Sequence, residues 1–235
     1  MHLNYVFLLL MIPTLAASPG FTADKFTPAP EFHWTGKSSD IQKLAIKGMV
    51  GTITVESVAG DTVDVTAVTR AAGEDTVHVQ VVQGRGTVAI CAIYANAKGT
   101  DPSACDDETS WCKSECDGRG PKVDFVVRLP QGIRSLNLAG VNTVVAGRFT
   151  EQAWPDQFSI RTISGNIDLQ LPKAISANLD LQIPGRHLRS QFAILRLHSN
   201  RSGHITGAIG KGDGWIRIST VSGYVTLRKT SKPEA

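Results

Sequence analysis

The chain has 235 residues, a formal net charge of +3, 42% hydrophobic residues and 6% aromatic ones. That length suits one all-β domain, or less simply two small ones. A near-balanced charge with so few aromatics argues against nucleic-acid binding, which needs basic patches interleaved with stacking rings. The charge is unevenly placed, with residues 171–235 carrying +7 and the preceding part −4.

In chain order, the first element is a leader. MHLNYVFLLLMIPTLAASPG is apolar from Tyr5 to Ile12 and then runs into Pro13 and small residues. The run is too short to span a bilayer and has the layout of a signal peptide over 1–18, with cleavage after Ala16 or Ser18. It departs from that layout in lacking Lys or Arg near its start, where only His2 stands. A buried N-terminal strand or a membrane anchor is the alternative. No later stretch approaches transmembrane length, so the expected destination is periplasm, cell envelope or extracellular space. Residues 19–40, polar and proline-bearing, read as a flexible entry segment, 41–230 as a single repetitive all-β domain, and 231–235 as a tail.

Within 41–230, short runs such as GTITVESV, DTVDVTAVT, TVAICAIY, KVDFVVRL and WIRIST alternate apolar with polar residues between Gly, Pro, Asn and Asp. That is the period of half-buried strands, and no stretch of ten or more residues shows a helical period. One frame recurs. IRISTVSGYVTL places Ile216 and Ile218 before Gly223, and Val225 and Leu227 after it. The same frame centres on Gly51, Gly165 and Gly203, and on Thr143 where the glycine slot is filled by Thr. The spacing suggests a repeat near twenty residues with one unsigned copy over 175–185.

Upstream of Gly223 the apolar residues are even-numbered and downstream odd-numbered, so a continuous flat strand would turn half of them into solvent. A kink at the glycine resets the phase, and glycine takes a left-handed backbone angle at no steric cost. The expected architecture is therefore a parallel β-solenoid or β-helix-like stack of short strands with Gly corners, with a β-sandwich as the alternative.

The four cysteines, Cys91, Cys105, Cys112 and Cys116, favour two disulfides in an exported chain, with Cys91–Cys105 and Cys112–Cys116 preferred among three pairings. Asp106, Asp107, Glu108, Glu115 and Asp117 surround the last three, which raises a metal site as a competitor. The spacings lack the C-x-x-C arms of zinc sites and the alternating oxygen ligands of a calcium loop. A solvated acidic loop accounts for them, and no metal site is assigned.

DFVVRLPQGIRSLNLAGVNTVV, IRTISGNIDLQLP and GKGDGWIRISTVSGYVTLRK resemble the bacterial domain-of-unknown-function family labelled putative adhesin. The likeness covers about residues 44–229; Thr143 in a glycine slot and the pair Cys112 and Cys116 depart from the pattern. It implies a repetitive β-fold on an exported or envelope protein, and the family offers no catalytic residues to carry over.

Enzymes occur on such scaffolds, and several residues of this chain are of types that could carry chemistry. Asp64, Asp168 and Asp180 suggest a carboxylate ladder, but each sits in an outward polar slot between apolar neighbours. Ser164, Ser202 and Ser222 occupy the repeated corner, where a hydroxyl serves a turn. No Gly-x-Ser-x-Gly elbow is present, and GKGDG at 210–214 lacks phosphate-loop spacing. Arg186, Arg189, Arg196 and Arg201, with His187, His198 and His204 nearby, are the candidate anion-binding set, against the plainer reading of a soluble cationic surface. Trp34, Trp111, Trp154 and Trp215 are spread out, and most of them read as packing or end-capping residues. No cofactor motif appears.

The sequence thus points to an exported, non-enzymatic envelope protein of structural or adhesive type. A carbohydrate-active enzyme on the same scaffold and a binder of anionic glycan or lipid through the C-terminal basic residues are the alternatives. Self-association through exposed solenoid ends is a third possibility for partners.

Overall fold

The computed structural model describes residues 31–70, 77–94, 105, 121–184, 187–199 and 203–230. Of these, 71% lie in strands and none in an α-helix; Ser38–Asp40 form a 3-10 turn. The fifteen strands form one large sheet that does not close into a barrel.

Five bent units carry the core. They are β2 (Lys43–Ser57), β7 (Ser135–Arg148), β8 (Gln157–Ser164) with β9 (Ile167–Leu171), β10 (Ala177–Gln182) with β11 (Leu188–Ser190), and β14 (Gly214–Ser222) with β15 (Val225–Lys229). The first arm of each unit pairs in parallel in the order β2, β7, β8, β14, β10, and the second arm in the order β2, β7, β9, β15, β11. Register stacks like on like. Leu44, Leu136, Phe158, Ile216 and Leu179 form one row of the first arm, and Ile46, Leu138, Ile160, Ile218 and Leu181 the next. Each of these ten side chains is at most 1% exposed. Burying one such aliphatic side chain contributes roughly 1.5–3 kcal/mol, so the stack is the main source of stability.

In the second arm Gly147 takes a slot that Val55 and Leu169 fill in adjacent strands. The Phe149 ring occupies the vacated volume: a Cβ on Gly147 would come within 2.6 Å of it. Phe149 meets Trp154 and Phe158 edge to face at 5.1 and 5.2 Å, closing the core where the second unit hands over to the third.

The corners line up in a column. Gly165 and Gly223 have φ of +134 and +131°, and a Cβ on either would lie 2.1–2.2 Å from the carbonyl oxygen of the corner beneath, Thr143 or Gly165. Both the angle and the close approach demand glycine. Thr143 is matched to Gly51 across the first pair of units, is 1% exposed, and donates its hydroxyl to the Met49 carbonyl at 3.2 Å.

Serine was expected to tie the corner through its hydroxyl. Instead, the hydroxyls of buried Thr162 and Thr220 donate to the carbonyls of Ser164 and Ser222, both at 2.9 Å. A threonine two residues before the serine can fold its hydroxyl back inside the bend, whereas the serine side chain faces outward.

Three further features depart from a plain repeat read along the chain. The unit unsigned in sequence, β10, does not follow β8 in space, because β14 lies between them. The last glycine-cornered unit of the chain is inserted into the stack. Second, the copy centred on Gly203 is no strand–corner–strand unit. There β12 (Leu195–Ser199) runs antiparallel to β13 (His204–Ile209), which itself runs antiparallel to β10. β12 ends the sheet order, its register shifts between Leu195 and His198 with Arg196 at φ +51°, and all five of its residues are exposed, Leu195 and Leu197 at 52% and 56%.

Third, the entry segment is structured from Glu31 onward: β1 (Glu31–Lys37) pairs antiparallel with β3 (Thr62–Arg70). Its half-buried Phe32 and Trp34 pack on the core, a two-residue alternation that the prolines before it obscure. β3 in turn pairs antiparallel with β6 (Lys122–Leu129), which runs parallel to the second arm of β2. On the first arm, β5 (Thr87–Tyr94) lies parallel to β2 and carries β4 (Val77–Gly84) as an antiparallel edge. The leader, Trp111, Cys112, Cys116 and the acidic residues around them lie outside the described residues.

Candidate functional site

The outward side chains of the first arm form an ordered grid, because parallel in-register strands place equivalent slots side by side. One row runs Thr87, Lys43, Ser135, Gln157, Trp215, Asn178; the next runs Ala89, Ala45, Asn137, Ser159, Arg217, Asp180. A third runs Cys91, Lys47, Ala139, Arg161, Ser219, Gln182. The small residues Ala45, Ala89 and Ala139 leave a groove of about 450 Å³ between Cys105 and Trp215.

The Cys105 end is fixed covalently. Cys91 on β5 is bonded to Cys105, with 5.8 Å between their Cα atoms, and both are buried against Ala45 and Ala89. Lys47, 6% exposed, donates from Nζ to the Cys105 carbonyl at 3.0 Å, which satisfies a charge otherwise costly to bury. At the far end Trp215 is 47% exposed on the face of the sheet. It is not one of the packing tryptophans: on β14 it alternates with buried Ile216, and its odd-numbered slot faces outward.

Between these ends the groove is polar and cationic. Arg161 is exposed and has no carboxylate within ion-pair distance among the described residues. Ser159 donates to Asn137 Oδ1 at 2.5 Å. Beyond the groove Asp180 accepts from Arg217 Nε at 3.0 Å and lies 2.9 Å from His204 Nε2. Burial pushes the Asp180 carboxyl upward, but the hydrogen bonds from His204 and Arg217 and their charges outweigh it and hold the group below its ordinary value.

The other two carboxylates of the supposed ladder are also engaged. Asp64 faces His33 at 2.9 Å, and Asp168 is held by both Nε and Nη2 of Arg228. Asp64 and Asp168 sit on second-arm strands, β3 and β9, and Asp180 on the first arm, so register brings no two of them together. General acid–base work needs a carboxyl poised to exchange a proton with substrate, and ion-paired surface carboxylates do not supply it.

The four arginines singled out from the sequence divide. Arg186 and Arg201 lie outside the described residues. Arg189 on β11 lines a second-arm depression with Asp168 and Tyr224, whereas Arg196 on β12 lines a first-arm depression with Asp180, His204 and Trp215. Arg189 and Arg196 therefore do not share one stripe, because β11 pairs with β15 on the second arm whereas β12 pairs with β13 beyond the first arm of β10. His187 stacks on Tyr224 with ring centroids 4.5 Å apart, and His204 serves Asp180.

GKGDG forms a turn whose backbone donors are consumed internally. The N–H groups of Lys211, Gly212 and Asp213 all reach Ser176 Oγ at 3.0–3.2 Å, and that hydroxyl donates to Asp213 at 2.8 Å. The convergent amides that could cradle an anion are thereby occupied.

Comparison with known proteins adds little. No family model matches the chain, nor does any curated protein. A solved structure described as a putative cell adhesion protein from Clostridium sporogenes is similar at 8% identity and a TM-score of 0.44, over 86% of this chain and 99% of that one. The grid residues Arg161, Trp215 and Arg217 were missed in the sequence. Their signal lies in the glycine-centred frame itself, since each flanks an aligned apolar position (Ile160, Ile216) that register then superposes.

Proposed function

We propose that this protein is an exported, non-enzymatic component of the cell envelope, adhesive or structural in role, whose outward first-arm face is a binding surface. Its architecture is a β-solenoid-like stack, supported by five bent units in parallel register. The family resemblance carried by IRTISGNIDLQLP and TVSGYVTL agrees with that role. The observation that carries the reading is the pairing of a broad polar groove with three candidate carboxylates, Asp64, Asp168 and Asp180, each engaged by a histidine or arginine. A surface so built can hold a ligand by many weak contacts but has no group poised to break a bond.

The Cys91–Cys105 disulfide fits an oxidising compartment, as does the apolar leader over 1–18. By the same logic Cys112 and Cys116 form the second disulfide. The test is expression of the full chain followed by fractionation, N-terminal sequencing and non-reducing peptide mapping. The expected result is a protein outside the cytoplasm, cleaved after Ala16 or Ser18, with no free thiol. Retention in the cytoplasm with four thiols would sink the reading. Assay of envelope and plant polysaccharides for newly released reducing ends should find none; release would favour the carbohydrate-active enzyme.

A further inference from the structure

We propose that the outward groove of the first arm binds acidic polysaccharide, with Arg161 recognising its anionic groups and Trp215 stacking on its sugar rings. The proposal rests on the binding-module reading above and specifies the ligand class. Arg161 is exposed, lines the groove, and is free of any carboxylate partner among the described residues. Its planar fork of donors matches a carboxylate or sulfate in a bidentate manner.

Arg217 stands one strand over and one row along, opposite Ser159 rather than Arg161. Strand spacing and rise put the two Cα atoms about 8 Å apart on the diagonal. Only Nε of Arg217 is held by Asp180, which leaves its terminal nitrogens for a second anion. A small free anion can use one of these arginines; a polymer with charge repeated along it uses both.

The remaining contacts suit sugars rather than bases or lipid tails. With Oδ1 of Asn137 taken by Ser159, the Asn137 amide nitrogen is left to donate, and Gln157 lies exposed in the neighbouring row. Trp215 offers an amphipathic ring that covers the apolar face of a pyranose while its edge stays wet. A single exposed ring cannot stack successive bases of a nucleic acid. Nor does the groove expose the broad apolar face that would insert into a bilayer.

The experiment is calorimetric titration of the disulfide-intact protein with polygalacturonate, dextran sulfate and neutral dextran, at low and at physiological salt. The parent is expected to bind both polyanions, more weakly as salt rises, and to ignore neutral dextran. R161Q should weaken binding about tenfold, the loss of one charge-assisted contact pair. W215A should weaken it by a similar factor, R161K should restore part of the loss, and R189Q on the other arm should match the parent. All three positions are exposed, and matching thermal melts show that each variant folds.

Equal binding by R161Q, W215A and the parent overturns the groove, as does failure to bind either polyanion. Loss confined to R189Q also overturns it, while leaving the binding-module reading intact. Neutral dextran bound as well as the polyanions overturns the acidic specificity. If polygalacturonate is depolymerised, the non-enzymatic reading fails, and the groove is then decided by R161Q and W215A alone.

Discussion

Gly165 and Gly203 sit in near-identical sequence, Ser-Gly-Asn-Ile and Ser-Gly-His-Ile, yet the chain does opposite things around them. At Gly165 it turns a corner and continues from β8 into β9, with both arms paired in parallel to the same neighbouring units. At Gly203 it enters β13, which lies antiparallel between β12 and β10. The local cause of the glycine is nonetheless shared. A Cβ at Gly165 would lie 2.1 Å from the Thr143 carbonyl oxygen, and one at Gly203 would lie 2.1 Å from that of Ile183. Glycine in this frame reports that two backbones meet without room for a side chain. It does not report which way the next strand runs. What differs is the flanking burial, since Ile160 is 1% exposed before Gly165 and Leu197 is 56% exposed before Gly203.

That contrast can be broken by substitution. Gly165→Ala forces a side chain both onto φ +134° and into a carbonyl held by strands on either side. It should cost about 3 kcal/mol or more in urea unfolding, beyond the usual range for a surface change. Gly203→Ala meets the same carbonyl clash, but β12 and β13 lie at the end of the sheet and can shift outward. A loss of about 1–2 kcal/mol is expected there. A larger loss at Gly203 than at Gly165 would contradict the view that the inner column carries the fold.

The flanking residues sharpen the same point. Ile160→Ala opens a cavity in a fully packed row and should cost about 3 kcal/mol, whereas Leu197→Ala should stay within about 0.5 kcal/mol by the same unfolding measurement. Reducing the Cys91–Cys105 bond, which closes a separation of 14 residues, should lower stability by about 3 kcal/mol. Its effect should concentrate on β5 and the Cys105 end of the groove, read by hydrogen exchange.

The smallest effect belongs to Asp180. Its folded pKa is depressed, so the stability it contributes is present above the unfolded value and is lost as pH falls through the lower folded one. Acid unfolding of the parent and of Asp180→Asn should therefore converge below about pH 4, the ordinary carboxylate range. Above it the parent should lead by no more than about 1 kcal/mol, as befits a half-exposed pair. A parent advantage that grows toward low pH would contradict the pairing.

Much of this could be read from the sequence because local rules decide it. In β3 and β8 the alternation of apolar and polar residues agrees with burial along most of each strand. Gly51, Gly165 and Gly223, where the phase of the alternation changes, all take positive φ, +133, +134 and +131°. The order of the units was not readable: Leu44, Phe158, Ile216 and Leu179 offer equivalent apolar rows, so nothing local tells β14 to lie between β8 and β10. The direction of β13 escaped for the same reason. The groove escaped because Arg161 and Trp215 are far apart in sequence and come to one face only through register. Charge density along the chain pointed instead to Arg186, Arg189, Arg196 and Arg201, of which the two described lie on different arms.

The central claim is that the first-arm face, and not the second-arm surface around Arg189, is where this protein meets its ligand. Side-chain indole N–H resonances report on it directly during titration with polygalacturonate. The Trp215 signal is predicted to shift progressively and saturate, while those of Trp34 and Trp154, packed against the core, stay in place. A stationary Trp215 signal, with changes confined to backbone amides around Arg189 and Tyr224, would contradict the account.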